Sequence, residues 1–431
     1  MEKILSNRNF LVALLILIMS WIVIFVQTID VPLQGTHRWR QADTLFSSYY
    51  FCIEETNILY PRIGPRQNTG GVAIGEFPLY SYITGMVCRL KGGWDEVTPK
   101  LVSLTFTILG ILIWWKALRL NYQLASLRFS HWFALSFFSV ISLSFMTIPM
   151  PESLAFFIFG ISSYCWANFK DASNKNKVLG SLMFSLGFLL RPYHIPFLTI
   201  FRPRWKTFAL TLLTCIVLFV LWYKLWAASA TQIFGHYGIG FEPLDKIFQA
   251  IPGALAILPK RFMDHTGVVG LIAFYLSFKV DRWLHLIYVG SIGLMLVLKS
   301  THLANHAYYL SNPAFISFMI LALGFNQLKM DWHRNGLILL YVIYGIATTQ
   351  HNFTNKWARE DWMKLQALSA QISKDSKVIT HTGDGPQELY LMKRMGWMAG
   401  ELNFNSSAPC PNGASYYLTR TNGYELKECT P

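Results

Sequence analysis

Residues 10 to 29 read FLVALLILIMSWIVIFVQTI, with no charged side chain among them. About 20 apolar residues in a helix cross the hydrocarbon core of a bilayer. Such a run restricts the chain to folds that live in lipid. Comparable runs follow, LVSLTFTILGILIWW at 101 to 115 and TFALTLLTCIVLFVLWYKLW at 207 to 226. Charged residues make up only 14% of the chain, against about 25% in soluble proteins. These features predict an all-α polytopic membrane protein. The first run is longer than the apolar region of a cleaved signal and no small-residue cleavage site follows it, so it reads as a retained helix.

A net charge of +14 would suit a nucleic-acid partner if the cations formed one patch. They fall instead in short loops between apolar runs, as the positive-inside rule expects of cytoplasmic loops. The predicted partners are therefore the lipid bilayer and its ligands, with no nucleic acid. Lys3 and Arg8 place the N-terminus in the cytoplasm, and residues 30 to 100 then form an external first loop. If residues 76 to 91 do not cross, the cationic loops near 116–128, 170–177, 202–206, 279–282 and 329–334 share one side. That threading has about eleven transmembrane helices, with 178–201 broken at RPYHIP by its prolines.

Two domains are expected: a transmembrane catalytic domain over 1–349 and a small extracytoplasmic α/β domain over 350–431. In the latter, KWAREDWMKLQALSAQIS reads as an amphipathic helix. KVITHTG and ASYYLTR read as strands, and PQELYLMKRMGW as a second helix. Cys410 and Cys429 would form a disulfide if this tail is external. The six cysteines include no CxxC pair and no metal-ligand spacing.

The external segments carry the residues suited to chemistry. On a helix, Trp39, Asp43, Phe46 and Tyr50 fall along one stripe, so Asp43 lies on an aromatic face. Desolvation there favours a protonatable base. The alternative is an acid paired to Arg38 or Arg40. Glu76 and Glu152 stand at helix starts, where a carboxylate also stabilises the helix dipole. Arg191 lies beside Pro192 in an apolar stretch, a costly place for a cation without an anion such as a lipid phosphate. His302 and His306 stand four apart, without the third ligand of a metal site.

HRWRQADTLFSSYYF after a first transmembrane helix resembles the start of the GT-C membrane glycosyltransferases, in particular the Rgt-like and protein mannosyltransferase–ArnT-like bacterial branch. The likeness continues through Glu76, Pro78, Leu79 and Tyr80, through Glu152 where aspartate is usual, and through LLRPYHIPF with Arg191 where lysine is commoner. NHAYYLSNPAF and GDGPQELYLMKRMGW complete it. The resemblance implies a GT-C fold and transfer, with inversion, of a sugar from a polyprenyl-phosphate donor to an external glycan, lipid or protein acceptor. It implies catalytic roles for Asp43, Glu76 and Glu152, with Asp43 as general base. It implies donor-phosphate contacts from Arg62, Arg66, Arg191, Lys299 and His302. Substrate contacts would come from Trp39, Arg40, Gln41, His194, His306, Tyr308 and Tyr309. Relatives differ in using a divalent cation, Mg²⁺ or Mn²⁺, and the metal ligands are unknown. The implied location is the inner (plasma) membrane, multi-pass, with the active site and C-terminal domain extracytoplasmic. The rival readings are a transporter or flippase of lipid-linked sugars, or a polymerase or ligase of O-antigen type.

Overall fold

The first apolar run forms a helix, α1 (Asn7–Thr28), that begins slightly before the run itself. The computed structural model describes all residues except 1–5, 36, 55, 65–69, 73–74, 168–172, 201–204, 228, 230–243, 304–306, 354–355, 381–385, 399–409, 411–412, 421–422 and 430–431. After α1 come α2 (Arg38–Ile53), α3 (Leu79–Lys91), α4 (Thr98–Asn121), α5 (Phe129–Phe137), α6 (Glu152–Trp166) and α7 (Asn174–Leu190). Next are α8 (Trp205–Phe219), α9 (Leu244–Phe278), α10 (Arg282–Leu303), α11 (Ser311–Asn326), α12 (Asp331–Phe353) and α13 (Lys356–Ser369). The tail adds β1 (Val378–Thr380), α14 (Gln387–Met392), β2 (Gly396–Met398), β3 (Tyr416–Arg420) and β4 (Tyr424–Glu428).

The chain divides into two compact units, and the division is not a single cut near residue 350. One unit takes Met1–Phe25, Ser103–Trp222 and Gly240–Gln350; the other takes Val26–Val102, Tyr223–Ile239 and His351–Pro431. The first loop thus belongs with the tail.

Within the helical unit, α11 is buried from Ser311 through Phe325. A helix apolar on all sides belongs at the centre of a bundle. A Cβ on Gly324 would lie 1.9 Å from the carbonyl oxygen of Ala273 on α9, so only glycine permits this approach. Three segments among the described residues are long and apolar enough to cross a membrane: α1, α4 and Trp205–Trp226, in which α8 continues through a π-helical turn. Of the other helices, α10 and α12 have 22 and 23 residues, and the rest are shorter or interrupted. α7 stops at Leu190, and Pro192 opens a 3-10 segment to Thr199 that contains Pro196, the break expected at RPYHIP. α9 carries Pro252 and Pro259 and departs from helical geometry at Gly267, where φ is 59°. Near that break Tyr341 donates its hydroxyl to the carbonyl of His265 at 3.1 Å, which gives a buried carbonyl beside the irregular backbone a partner.

Several loops of this unit meet at one end. Asn7 donates to Asp331 at 2.7 Å, Tyr122 donates to Asp281 at 2.8 Å, and the Asn326 carboxamide accepts from Ser126 and Leu127 N–H at 3.0 Å each. The start of α1, the end of α4 and the α9–α10 and α11–α12 turns are therefore gathered together.

In the other unit, α2 and α3 pack side by side. Ser81 Oγ donates to the Thr44 carbonyl at 3.1 Å, Arg89 donates to the Phe51 carbonyl at 3.0 Å, and Cys52 is disulfide-bonded to Cys88. A Cβ on Gly85 would fall 2.4 Å from Phe51 Cβ and 2.8 Å from the Ser48 carbonyl; glycine is what lets the helices touch. With 13 residues, α3 rises about 20 Å, less than the roughly 30 Å of a hydrocarbon core. It begins at Leu79 rather than at Glu76, and Pro78 occupies the N-cap.

The tail forms a four-stranded sheet in the order β2-β1-β3-β4. β1 runs parallel to both β2 and β3, and β3 pairs antiparallel with β4. The expected second helix ends at Met392, and its final GW belongs to β2, while β4 has no counterpart in the sequence reading. Leu45, Phe46 and Tyr50 of α2 share a core with Leu365, Val378, Leu389 and Tyr390 of the tail. The disulfide between Cys410 and Cys429 is present. Cys52–Cys88 is a second, unforeseen one.

Candidate active site

The first cluster is built on α2. Gln34 N–H donates to the Gln41 carboxamide at 3.1 Å, and Gln41 donates back to the Gln34 carbonyl at 2.5 Å. This reciprocal pair fixes how the chain enters the helix, and His37 takes a left-handed N-cap conformation at φ 58°. Lys100, fully buried, donates to the carbonyls of Thr28 and Val31 and anchors the end of α1 against the same stretch. Asp43 is 5% exposed, in a helix buried from Gln41 through Ser48. Its stripe partners Phe46 and Tyr50 are buried as well, and Phe46 meets Tyr390 edge to face at 5.3 Å.

Arg40, one of the two expected partners of Asp43, forms an ion pair with Glu76. Glu76 precedes α3 and ties the first-loop motif to the second motif instead of capping a helix. Trp39 stands half-buried one residue before Arg40. Arg62 pairs with Glu54 at 2.9 Å, and its carbonyl accepts from Ser47 at 3.1 Å. Arg66 lies outside the described residues.

The second cluster lies in the helical unit. Glu152 opens α6 and Arg191 caps α7, with Arg191 Nη2 2.5 Å from Glu152 Oε1 and both side chains at most 1% exposed. Two motifs read separately in the sequence thus form one buried ion pair. Burial also places Arg191 away from the protein surface. His194 is fully buried, stacked on Phe159 at 5.0 Å and on Phe197 at 5.6 Å. Neither ring nitrogen has a hydrogen-bond partner among the described residues. Asn312 donates to the Tyr193 carbonyl at 2.9 Å, and Tyr309 meets the Tyr193 ring edge to face at 5.8 Å. This links the RPYHIP segment to the YYLSNP segment. Lys299, His302 and Tyr308 belong to described backbone, on α10 for the first two and a 3-10 turn for the third; their side chains, and all of His306, lie outside the described residues. No three His, Cys, Asp or Glu side chains among the described residues gather as a metal site.

A third cluster was not anticipated. Lys393 Nζ lies 2.8 Å from Glu96 and 3.2 Å from the centre of the Tyr390 ring, with Tyr49 and Trp94 each at 5.6 Å. Glu96 also accepts from the Tyr390 hydroxyl at 2.5 Å and the Trp94 indole at 3.2 Å. Burial lowers the Lys393 ammonium to about 8, against the opposing pull of Glu96. Burial also raises the phenols of Tyr49 and Tyr390. The sequence signal was weak: a lysine in the MKRMG turn and a WDE stretch nearly 300 residues earlier.

No family model matches the sequence, and no curated protein matches it. Solved structures do match. ArnT from Cupriavidus metallidurans in the apo state superposes with a TM-score of 0.58 at 11% identity, over 89% of this chain and 85% of that one. The same protein bound to undecaprenyl phosphate gives a TM-score of 0.56 with the same identity and coverage. The mycobacterial arabinofuranosyltransferase AftD gives 0.52 at 14% identity, over 97% of this chain but 35% of its own length. This chain shares its fold with these structures and is predominantly helical with a small C-terminal sheet.

Proposed function

We propose that this chain is an integral membrane glycosyltransferase that takes a sugar from a polyprenyl-phosphate donor and passes it to an extracytoplasmic acceptor with inversion. The observation that carries the reading is the fold match over most of the chain to ArnT, one structure of which holds undecaprenyl phosphate. The buried first-loop acid supports it. In the reaction, the acceptor hydroxyl gives its proton to the Asp43 carboxylate. Its oxygen bonds to the anomeric carbon as the bond from that carbon to the phosphate oxygen breaks. The polyprenyl phosphate leaves with the electron pair. A cation fixed near that phosphate stabilises the growing charge. Arg191, held by Glu152, and Lys299 are our choices for it. A Mg²⁺ or Mn²⁺ ion would serve the same charge if the enzyme uses one.

The orientation follows two observations. The loops gathered around Asn7, Tyr122, Asp281 and Asp331 carry Arg8, Arg119, Arg128, Arg282 and Arg334 nearby, so we place this end in the cytoplasm. Thr28 and Thr98, at the far ends of α1 and α4, then lie outside, and α3 makes no net crossing. Both disulfides fall in the unit that holds the first loop and tail, and the free thiols Cys165 and Cys215 in the other. Disulfides persist in oxidising compartments. The inner membrane is the location this implies.

The test is Asp43→Asn in purified protein supplied with a polyprenyl-phosphate sugar. General-base catalysis contributes roughly 10²–10⁴-fold, so turnover should drop by about 100-fold or more while donor binding is kept. Turnover near that of the unaltered enzyme would remove Asp43 from the mechanism.

A further inference from the structure

A cavity of about 800 Å³ opens within the unit that joins the first loop to the tail, and the transfer step described above does not use it. This size is that of small-molecule sites. Tyr49 and Tyr50 of α2 line one side, and the turn from Lys374 to Lys377 another.

The charge of its lining is unbalanced. Arg62, Lys374, Lys377, Lys393 and Arg394 line it, against Glu54 and Asp375. Arg62 is matched by Glu54, and Lys393 by Glu96. Lys374, Lys377 and Arg394 have no carboxylate within ion-pair distance among the described residues. Arg394 is the informative member. It is 8% exposed, and its guanidinium is held by neutral groups, donating to the Ser369 carbonyl at 2.9 Å and the Ile372 carbonyl at 3.3 Å. Its Nε has no hydrogen-bond partner among the described residues. Those carbonyls carry no formal charge, and a concave site with an excess of one sign concentrates ions of the other.

We propose that this cavity binds an anionic oligosaccharide, whose phosphate or carboxylate groups meet Arg394, Lys374 and Lys377 while a sugar ring lies against Tyr49. Charge-assisted hydrogen bonds to such groups are roughly twice as strong as neutral ones. The tyrosine rings and the extent of the cavity favour a saccharide over a bare ion or a lipid head group. This deepens the glycosyltransferase reading by giving the acceptor, or the glycan it belongs to, a negative charge, and it rests on that reading only for the ligand's role.

Binding is measured without donor on the full-length protein in detergent, so its outcome is independent of whether transfer occurs. The probes are mannopentaose phosphate, tetragalacturonate, uncharged mannopentaose, inorganic phosphate and glycerophosphoglycerol. At least one of the two charged oligosaccharides should bind at least tenfold more tightly than mannopentaose, and more tightly than either small phosphate. Which one does so tells phosphate from carboxylate. Lys374→Ala with Lys377→Ala removes exposed or half-buried side chains, should leave melting behaviour and polyprenyl-phosphate binding unchanged, and should weaken the charged oligosaccharide about tenfold, or about 1.4 kcal/mol. Equal binding of mannopentaose, equal binding of glycerophosphoglycerol or inorganic phosphate, or an unaffected double variant would each overturn the proposal.

Discussion

Arg191 and Glu152, 39 residues apart in sequence, form an ion pair that is almost wholly buried. The cation proposed to meet the donor phosphate is thus also the partner of the second acid motif. A buried pair contributes little net stability over a well-packed apolar pair, but removing one member leaves a charge stranded. Arg191→Ala should therefore cost about 3–5 kcal/mol, read as a lower melting temperature in detergent. Replacing both residues by methionine should recover most of that stability without restoring donor use. If the double variant restored normal donor kinetics, Arg191 would be a packing residue and not a phosphate contact.

The two disulfides make a simple count. Of six cysteines, Cys165 and Cys215 are free and buried. Protein from the membrane, denatured without reductant, should take up two maleimides per chain, and six after reduction. Four before reduction would mean that one bridge does not form. Cys88→Ser should lower stability by about 2–4 kcal/mol.

Asp95 binds the start of α4. Its Oδ1 accepts from Val97 N–H at 2.9 Å and Thr98 N–H at 2.8 Å, while Oδ2 accepts from Lys91 and from the Thr98 hydroxyl. Burial by itself would raise this carboxyl, but the hydrogen bonds from Lys91, Thr98 and Val97 outweigh it and leave the group below the usual aspartate value. A folded-state value below the unfolded one, about 3.9, stabilises the fold at pH above the unfolded value. That contribution is lost as pH falls through the folded value. Asp95→Ala should cost about 1 kcal/mol at pH 7, and the gap to the unaltered protein should close below about pH 4. A gap independent of pH would assign the effect to packing.

Orientation is open to labelling with membrane-impermeant thiol reagents. Single cysteines near residues 60 and 380 should react from outside the cell, and those near 122, 174 and 332 only after the membrane is opened. Reaction of position 122 from outside would reverse the threading and require α3 to cross.

The apolar runs, the amphipathic α13 and the strands β1 and β3 could be read directly, because each is a local pattern of side chains with the period of its own element. The stripe of Trp39, Asp43, Phe46 and Tyr50 was readable for the same reason, and so was the break at Pro192, where the ring removes a donor and restricts the residue before it. Partnership is another matter. Arg40 forms an ion pair with Glu76, 36 residues on, which no pattern within its own helix announces. Cys52 finds Cys88 because Gly85 lets two helices touch. The first loop and the tail share one core, in which Phe46 and Tyr50 pack together with Leu389 and Tyr390. Local periodicity says which face of an element is apolar. Which distant face it covers, and which charge meets which, depends on packing and desolvation across the whole chain, and these arise only when the chain is folded.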